Sequence, residues 1–348
     1  MTNATTQTIG CDLGDKWSSI FILEPDASNG IRDRIRTTPA AFEKFFGRAA
    51  AHVVIEVGTH SRWVSHQLRS LGHRVTVANP RRVQLISASH SKSDKADCEL
   101  LARLGRADVS LLAPIEHRRP AAHADLEQLK ARDVLIQIRI KLVNHVRSVV
   151  KVLGVRLPST TTAAFATKTL GQVPTDLTPA LQPLYQALES VDEQIKALTQ
   201  GIERTAKRYP DVAVISQPNG VGTLTAMAFV LTVEDKTRFK KSRMVGAFFG
   251  LRPRRDQSGA VDKQLHITKA GDPFVRRLLV NCANYIMGPF GKDSDLRRWG
   301  LQLASRGGKN ARQRAKVALA RKLAVLMHRL WVTGEVYEPI RQPEPAAV

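Results

Sequence analysis

Four acidic residues near the start of the chain could hold a divalent metal ion. Asp94 and Asp97 are three residues apart at the start of a predicted helix, in SHSKSDKADCELLARL. This spacing brings two side chains onto one helix face, about 5–6 Å apart at Cβ, where carboxylates repel each other unless a cation lies between them. Asp12 and Glu56 lie at the ends of apolar segments, where an acid needs a partner. Singly, each acid could equally be a turn residue, a strand end or a helix cap.

Together the four acids suit metal-dependent chemistry on a phosphodiester. Mg²⁺ prefers carboxylate and phosphate oxygens. Two such ions about 3.5–4 Å apart can stabilise the attacking and the leaving oxygen of an in-line displacement. We therefore expect Mg²⁺ as cofactor, with two ions for the acid cluster. Lys92 and Lys95 lie among the acids and would either contact nucleic-acid phosphate or offset the acidic charge.

Ser258 is a candidate nucleophile in the stretch RPRRDQSG. A serine hydroxyl is a weak nucleophile unless a base or a metal activates it. No His–Asp pair with a recognisable spacing accompanies this serine, which argues against a hydrolase triad. The structural alternative is a β-turn, which Asp-Gln-Ser-Gly suits and which spacing alone favours.

The stretch PNGVGTLTA resembles the helix-hairpin-helix signature. In that motif glycines allow backbone N–H groups to approach a phosphate at a helix N-terminus. Asn219, Gly220 and Gly222 are its candidate nucleic-acid contacts. The alternative is a tight helix–helix turn without a ligand.

The sequence pattern predicts that the acids lie on a mixed sheet and on a helix beside it. Apolar runs, alternation and helical spacing predict the order β-β-β-α-β-α-β-α over the first hundred residues, with strands in 8–14, 17–25, 31–38, 52–58 and 74–80. Asp12 is then on the first strand and Glu56 on the fourth. A ribonuclease-H-like sheet would bring these two acids together with the helix that starts at Asp94.

The middle of the chain predicts two long helices. The first covers 124–154 and has an apolar residue every seven positions; a loop is predicted at 158–169. The second has apolar residues at steps of four and three, which is a coiled-coil seam: Leu184, Leu188, Val191, Ile195, Leu198 and Ile202. Two interpretations stay open, a helical hairpin packed within its own chain and an arm that pairs with another subunit.

The last third of the chain is rich in basic residues and is predicted to be helical. The segment 250–280 is rich in turn residues and cations, and 311–331 is a basic amphipathic helix.

Composition points to a polyanionic partner. The chain of 348 residues has 53 Lys and Arg against 31 Asp and Glu, a formal net charge of +22. Nucleic acid is the default partner for such a charge. Three widely separated cysteines form no zinc or disulfide pattern, and we expect a cytoplasmic protein without membrane association.

These motifs together resemble the insertion sequence 110 family of bacterial transposases, the DEDD transposases. The resemblance covers about residues 8–335 and rests on the acids, the long helices, GVGTLTA, AFFGLRPRRDQSG and HITKAGDPFVRRLLV. It implies a RuvC-like domain with Asp12, Glu56, Asp94 and Asp97, and a transposase domain whose nucleophile is Ser258. It further implies a noncoding bridge RNA as guide, a covalent protein–DNA intermediate, and acids and serine from different subunits. With this resemblance we expect a bacterial protein that joins the nucleoid when bound to DNA.

We therefore predict a DNA recombinase that acts on donor and target DNA, with guide RNA, as a dimer or a tetramer. The predicted fold is α/β plus all-α, in three regions: a RuvC-like domain (1–122), a coiled-coil region (123–208) and a helical transposase domain (209–348). The alternatives are a RuvC-like structure-selective nuclease that uses water and a non-catalytic nucleic-acid-binding protein. Further candidate nucleic-acid contacts are Arg252, Arg254, Arg255, Lys263, Lys269, Arg276 and Arg277.

Overall fold

The computed structural model describes residues 7–80, 94–258 and 261–341. The chain forms two compact units, Met1–His117 and Arg118–Val348. In the described ranges, no helix has both the length and the apolar character needed to span a lipid bilayer.

The first unit contains a five-stranded mixed sheet in the order β3-β2-β1-β4-β5. Strands β1, β2 and β3 are antiparallel neighbours, whereas β1, β4 and β5 run parallel. Their bounds are Thr8–Leu13, Trp17–Leu23, Ile31–Arg36, His52–Glu56 and Arg74–Ala78. The predicted strand and helix order is confirmed, and the sheet is consistent with a RuvC-like domain.

Alternation along the central strands gives the sheet two different faces. Ile9 and Cys11 of β1 are buried with Val53 and Ile55 of β4 in one core. Helices α1 (Pro39–Phe46) and α2 (Ser61–Ser70) contribute to this core. Burying each such aliphatic side chain stabilises the unit by about 1.5–3 kcal/mol. The intervening residues of β1 and β4, which include both acids, therefore point to the opposite face.

Helix α3 (Asp94–Ala107) packs on that opposite face, directly over β1. A Cβ atom added to Gly10 would lie 2.0 Å from the Cys98 carbonyl oxygen and 2.6 Å from the Ala102 nitrogen. Only a residue without a side chain allows the helix backbone to come this close. Gly105 gives the same freedom further along α3, where a Cβ atom would lie 2.4 Å from a Val54 methyl group.

The second unit consists mainly of helices. Two long ones, α4 (Pro120–Val152) and α6 (Thr178–Ala206), are joined through α5 (Phe165–Thr169). The remaining elements are α7 (Pro210–Ile215), α8 (Thr223–Val233), α9 (Val245–Phe248), the antiparallel hairpin of β6 (Pro253–Ser258) and β7 (Val261–Ile267), α10 (Pro273–Ile286), α11 (Asp295–Ser305) and α12 (Ala311–Thr333). Helix α8 is buried almost throughout and forms the centre of the main core.

Helices α4 and α6 pair with each other inside one chain, in antiparallel directions. Arg139 donates to Asp192 at 2.6 Å, while the earlier Arg132 donates to the later Thr199 at 2.7 Å. Leu188, Ile195 and Ile202 of the predicted seam are buried. The structure therefore supports the helical hairpin for this part of the seam.

Two local predictions were wrong. The predicted loop at 158–169 contains helix α5, because Phe165 is fully buried and stacks on Tyr185 with ring centroids 6.0 Å apart. The turn-rich segment 250–280 contains the β6–β7 hairpin, and Asp256, Gln257 and Ser258 lie in β6 rather than in a turn.

We predict that Gly10→Ala destabilises the first unit by about 1–3 kcal/mol, the usual cost of overpacking a well-packed site. The new methyl group would overlap backbone atoms of α3, which move only if the helix moves. The measurement is the urea unfolding midpoint. Gly58→Ala is the control, because its Cβ atom would have no neighbour within 4 Å. Equal midpoints for the two variants would contradict the proposed role of Gly10.

Candidate functional site

Asp12 and Glu56 lie side by side at the carboxyl ends of the two central parallel strands. Cys11 pairs in register with Ile55, so the next residues of β1 and β4 are the two acids. Neighbouring strands are about 4.8 Å apart. Both acids are half-buried and share the face that α3 covers.

Helix α3 begins near these acids. Its C-terminal part is fixed at the opposite end of the sheet, since Arg106 donates to the Glu24 and Ala27 carbonyls and Gly105 lies against Val54. Its N-terminal part therefore points toward the carboxyl ends of β1 and β4. Asp97, half-buried in the first turns of α3, is on this side of the unit.

Two buried thiols lie close enough to Asp12 for its negative charge to contribute to their raised pKa. Burial and then the negative charge of Asp12 raise the pKa of Cys98 to about 11. Burial, Asp12 and Cys98, in that order, also raise the pKa of Cys11. Because Cys98 follows Asp97 directly, the charge of Asp12 acts at the same turn of α3 that carries Asp97.

The donor set fits a hard divalent cation. Asp12, Glu56 and Asp97 are carboxylates from two strands and one helix on one face of the sheet, and oxygen ligands of this kind hold Mg²⁺. Among the described side chains no group of three His, Cys, Asp or Glu residues is already arranged as a metal site. The side chains of Asp94 and Lys95 at the start of α3, and Lys92 altogether, lie outside the described residues.

Ser258 is the last residue of β6 and is exposed. It pairs with Val261 across the hairpin, and the alternation of the strands places it on the same face as Asp256 and Lys263. In the parts of the second unit that the structure describes, no hydrogen bond of the Ser258 hydroxyl is present. A serine hydroxyl needs a base or a metal for activation, and the described residues of the hairpin hold no base hydrogen-bonded to it.

The predicted basic contacts fall into two groups. Arg255 pairs with Asp262 at 2.7 Å, Arg277 pairs with Asp133, and Arg276 donates to the carbonyls of Phe249 and Ala270. These three guanidinium groups have partners within their own unit, and Arg255 and Arg277 are exposed as well. The other members are exposed on or beside the hairpin: Arg252, Arg254, Lys263 and Lys269.

The predicted glycine turn lies between α7 and α8. Gly220 has φ +93°, and a Cβ atom there would lie 2.9 Å from the Tyr285 ring. The Asn219 side-chain oxygen accepts from the Lys292 backbone at 3.4 Å. Gly220, Gly222 and the exposed side chains of Asn281 and Tyr285 line a cavity of about 440 Å³.

Sequence reasoning missed Trp17, Arg34 and Arg36 on the sheet. They share the face of the acids, because Ser19 of β2 pairs with both Asp12 and Arg34. The signal was present in IRDRIR, whose arginines alternate along β3 and therefore project to one side.

A mixed sheet of this order, with acids at the ends of its central parallel strands, is consistent with a RuvC-like domain. Comparison with known proteins identifies its family. Residues 9–154 match the model of DEDD transposases of the IS110 type, and residues 212–294 match the transposase IS116/IS110/IS902 family.

Individual relatives agree with these family matches. The chain is 30% identical to the transposase for insertion sequence element IS1111A of Coxiella burnetii, over 73% of this chain and 72% of the relative. It is 26% identical to the transposase for element IS1328 of Yersinia enterocolitica, over 94% and 98%. It is 23% identical to the pilin gene-inverting protein of Moraxella bovis, over 86% and 83%. The chain belongs to the IS110 family of transposases, which are enzymes that cleave and rejoin DNA.

We predict that saturating Mg²⁺ raises the thermal unfolding midpoint of the wild-type protein but not that of Asp12→Asn or Glu56→Gln. A ligand that binds only the folded state stabilises it, by about 2.7 kcal/mol at a hundredfold excess over its dissociation constant. Glu43→Gln is the matched control, since Glu43 is an exposed carboxylate on α1. If all four proteins respond equally to Mg²⁺, the two strand-end acids are not its ligands.

Proposed function

We propose that this transposase cleaves DNA through Ser258, with Mg²⁺ held by Asp12, Glu56, Asp94 and Asp97. The observation that carries the proposal is the adjacency of Asp12 and Glu56 at the strand ends, on the face where α3 begins with the other two acids. When bound, the metal would stabilise negative charge on the serine oxygen and on the scissile phosphate.

The serine accounts for rejoining as well as cleavage. The Ser258 oxygen forms a bond to phosphorus and gives its proton to water, while the bond from phosphorus to the leaving sugar oxygen breaks and that oxygen takes up a proton from water to become a hydroxyl. The DNA strand then stays attached to the protein until the hydroxyl of another strand displaces the serine. The exposed position of Ser258 at the end of β6 supports this role, because a DNA backbone can approach it.

A second candidate is a RuvC-like nuclease in which water is the nucleophile. It is favoured by the surroundings of Ser258, whose hydroxyl has no hydrogen-bonded base in the described part of its own unit. In the serine mechanism the acid cluster of another subunit replaces that base.

We extend the proposal to the nucleic-acid partners. Donor and target DNA and a noncoding guide RNA would bind mainly through phosphate, which fits 53 Lys and Arg with only 5% aromatic residues. In this proposal the functional regions are 1–122, 123–208 and 209–348. The contacts include the Gly220–Gly222 turn, Lys92, Lys95 and the exposed cations around the hairpin.

Assembly would use the face of α4 that α6 leaves uncovered. Leu129, Val143 and Val150 of α4 are buried, whereas Ile138 is 39% and Val152 84% exposed. The uncovered side carries Leu135, Ile138, His145 and Val152, at steps of three and seven residues as along a coiled-coil seam. Leu142 and Val149 border this stripe and pack partly against the core of their own hairpin. We propose that this stripe meets a second copy, which gives a dimer as the smallest active form.

We predict that Ser258→Ala abolishes both strand exchange and a denaturant-resistant protein–DNA adduct. The wild-type protein with Mg²⁺, guide RNA and matched DNA should form this adduct on the peptide that contains Ser258. Stability should change by less than about 0.5 kcal/mol, as for most surface substitutions. The control is Ser159→Ala, at another exposed serine of the same unit. Cleavage by Ser258→Ala at the wild-type rate would establish the water mechanism instead.

We also predict that Ile138→Glu shifts the protein from dimer to monomer in sedimentation velocity and abolishes strand exchange, while DNA binding persists. A charge buried in the contact between two α4 stripes would be costly. Gln137→Glu is the control, because Gln137 is an exposed neighbour on another side of the helix. An Ile138→Glu protein that stays dimeric would exclude the stripe as the assembly surface.

A further inference from the structure

Three arginines of edge strand β3 project onto the face of the sheet that carries the acids. The register pairs Arg32 with Phe21, Arg34 with Ser19 and Arg36 with Trp17. Ser19 pairs in turn with Asp12 on its other side. A continuous row therefore crosses the sheet from Arg34 through Ser19 to Asp12 and its neighbour Glu56.

The three arginines differ in how their charges are balanced. Arg32 forms an ion pair with Glu99 of α3. Within the described residues, the guanidinium groups of Arg34 and Arg36 form no ion pair with a carboxylate and no hydrogen bond. Two like charges so close together on one strand repel each other. An anion beside them would remove this cost.

Trp17 holds these two arginines in place. The guanidinium carbons of Arg34 and Arg36 lie 4.9 Å and 4.8 Å from the centre of the Trp17 ring. The ring itself is 38% exposed at the start of β2. Cation–π contacts of this kind restrict the long side chains, so less conformational entropy is lost when the guanidinium groups bind a ligand.

The distance to the acids suits a DNA strand. Arg34 is two strands away from Asp12, which is about 10 Å at the usual strand spacing. One strand of a duplex advances about 3.4 Å per base step along the axis, but successive phosphates are further apart because the backbone winds around that axis, so 10 Å corresponds to about one or two steps. A strand whose scissile phosphate lies at the acids would thus have a neighbouring phosphate near Arg34 and Arg36.

We propose that Arg34 and Arg36, fixed by Trp17, form a phosphate-binding site for the DNA strand about one or two nucleotides from the scissile bond. This inference rests on the proposed function, since the acids define where that bond lies. Arg34 and Arg36 are positioning residues in this role, and Arg32 is excluded from it because Glu99 already neutralises its charge.

The test is the salt dependence of DNA binding by the full chain. Affinity for a labelled duplex DNA, and for a duplex RNA of the same sequence, is measured over a salt series without divalent metal. Each phosphate contact contributes about 0.9 to the slope of log affinity against log salt for DNA. The variant with Arg34→Gln and Arg36→Gln should lose about 1.8 from this slope on DNA.

Arg32→Gln is the matched control, since it removes the same charge from the same strand and should leave the slope nearly unchanged. If the double variant fails to fold, Arg34→Gln and Arg36→Gln are measured singly, with a loss of about 0.9 expected for each. An unchanged slope, or an equal loss in Arg32→Gln, would overturn the proposal. A loss confined to the RNA duplex would overturn the assignment to DNA. Because no cleavage is measured, failure of the serine mechanism would not alter these slopes.

Trp17→Leu separates placement of the arginines from their charge. This variant keeps both cations, so its slope should equal that of the wild type, but its affinity should fall about three- to tenfold as the cation–π contacts are lost. Wild-type affinity in a folded Trp17→Leu protein would overturn the role of the ring.

Discussion

The close contact between α3 and Gly10 determines the geometry of the candidate metal site. The helix backbone lies where the side chain of any other residue at position 10 would be. Gly105 allows the same approach to β4, and Arg106 fixes the C-terminal end of the helix to backbone carbonyls. With one end fixed and the centre pressed on β1, the N-terminal end must lie toward Asp12 and Glu56.

This geometry concentrates negative charge on one face of a small sheet, which is unfavourable without a cation. Burial, and after it the negative charge of Asp12, raise the pKa of Cys98 in the first turns of α3. The face is balanced on its far side by the arginines of β3, where Trp17 holds Arg34 and Arg36. Carboxylates and guanidinium groups thus lie next to each other on one surface, an arrangement suited to a metal ion and a phosphodiester backbone.

The acid-bearing sheet could be predicted from the sequence because its strands alternate around a buried core. Side chains alternate between the two faces along TIGCDL and HVVIE, so each residue can be assigned to a face. If the two strands are parallel neighbours, Asp12 and Glu56 then lie side by side at their carboxyl ends. The β6–β7 hairpin could not be predicted in this way. PRRDQS is exposed along almost its whole length and has no apolar face that would reveal a strand.

The sequence also does not show which part of the protein a given side chain contacts. A heptad pattern shows that a helix face is apolar but not which helix covers it, and Leu188, Ile195 and Ile202 are buried within their own chain. Likewise the sequence predicts Arg276 as a nucleic-acid contact, whereas in the structure its guanidinium group donates hydrogen bonds to two backbone carbonyls. Basic residues are informative about ligands only once their internal partners are known.

The most direct measurement of the central claim is the position of a bound metal ion. Crystals of the full chain containing Mn²⁺ in place of Mg²⁺ would locate it by anomalous scattering. The account predicts a peak between the carboxylates of Asp12 and Glu56, with oxygen ligands at about 2 Å. A peak elsewhere in the protein, or none at these two acids at saturating Mn²⁺, would contradict it.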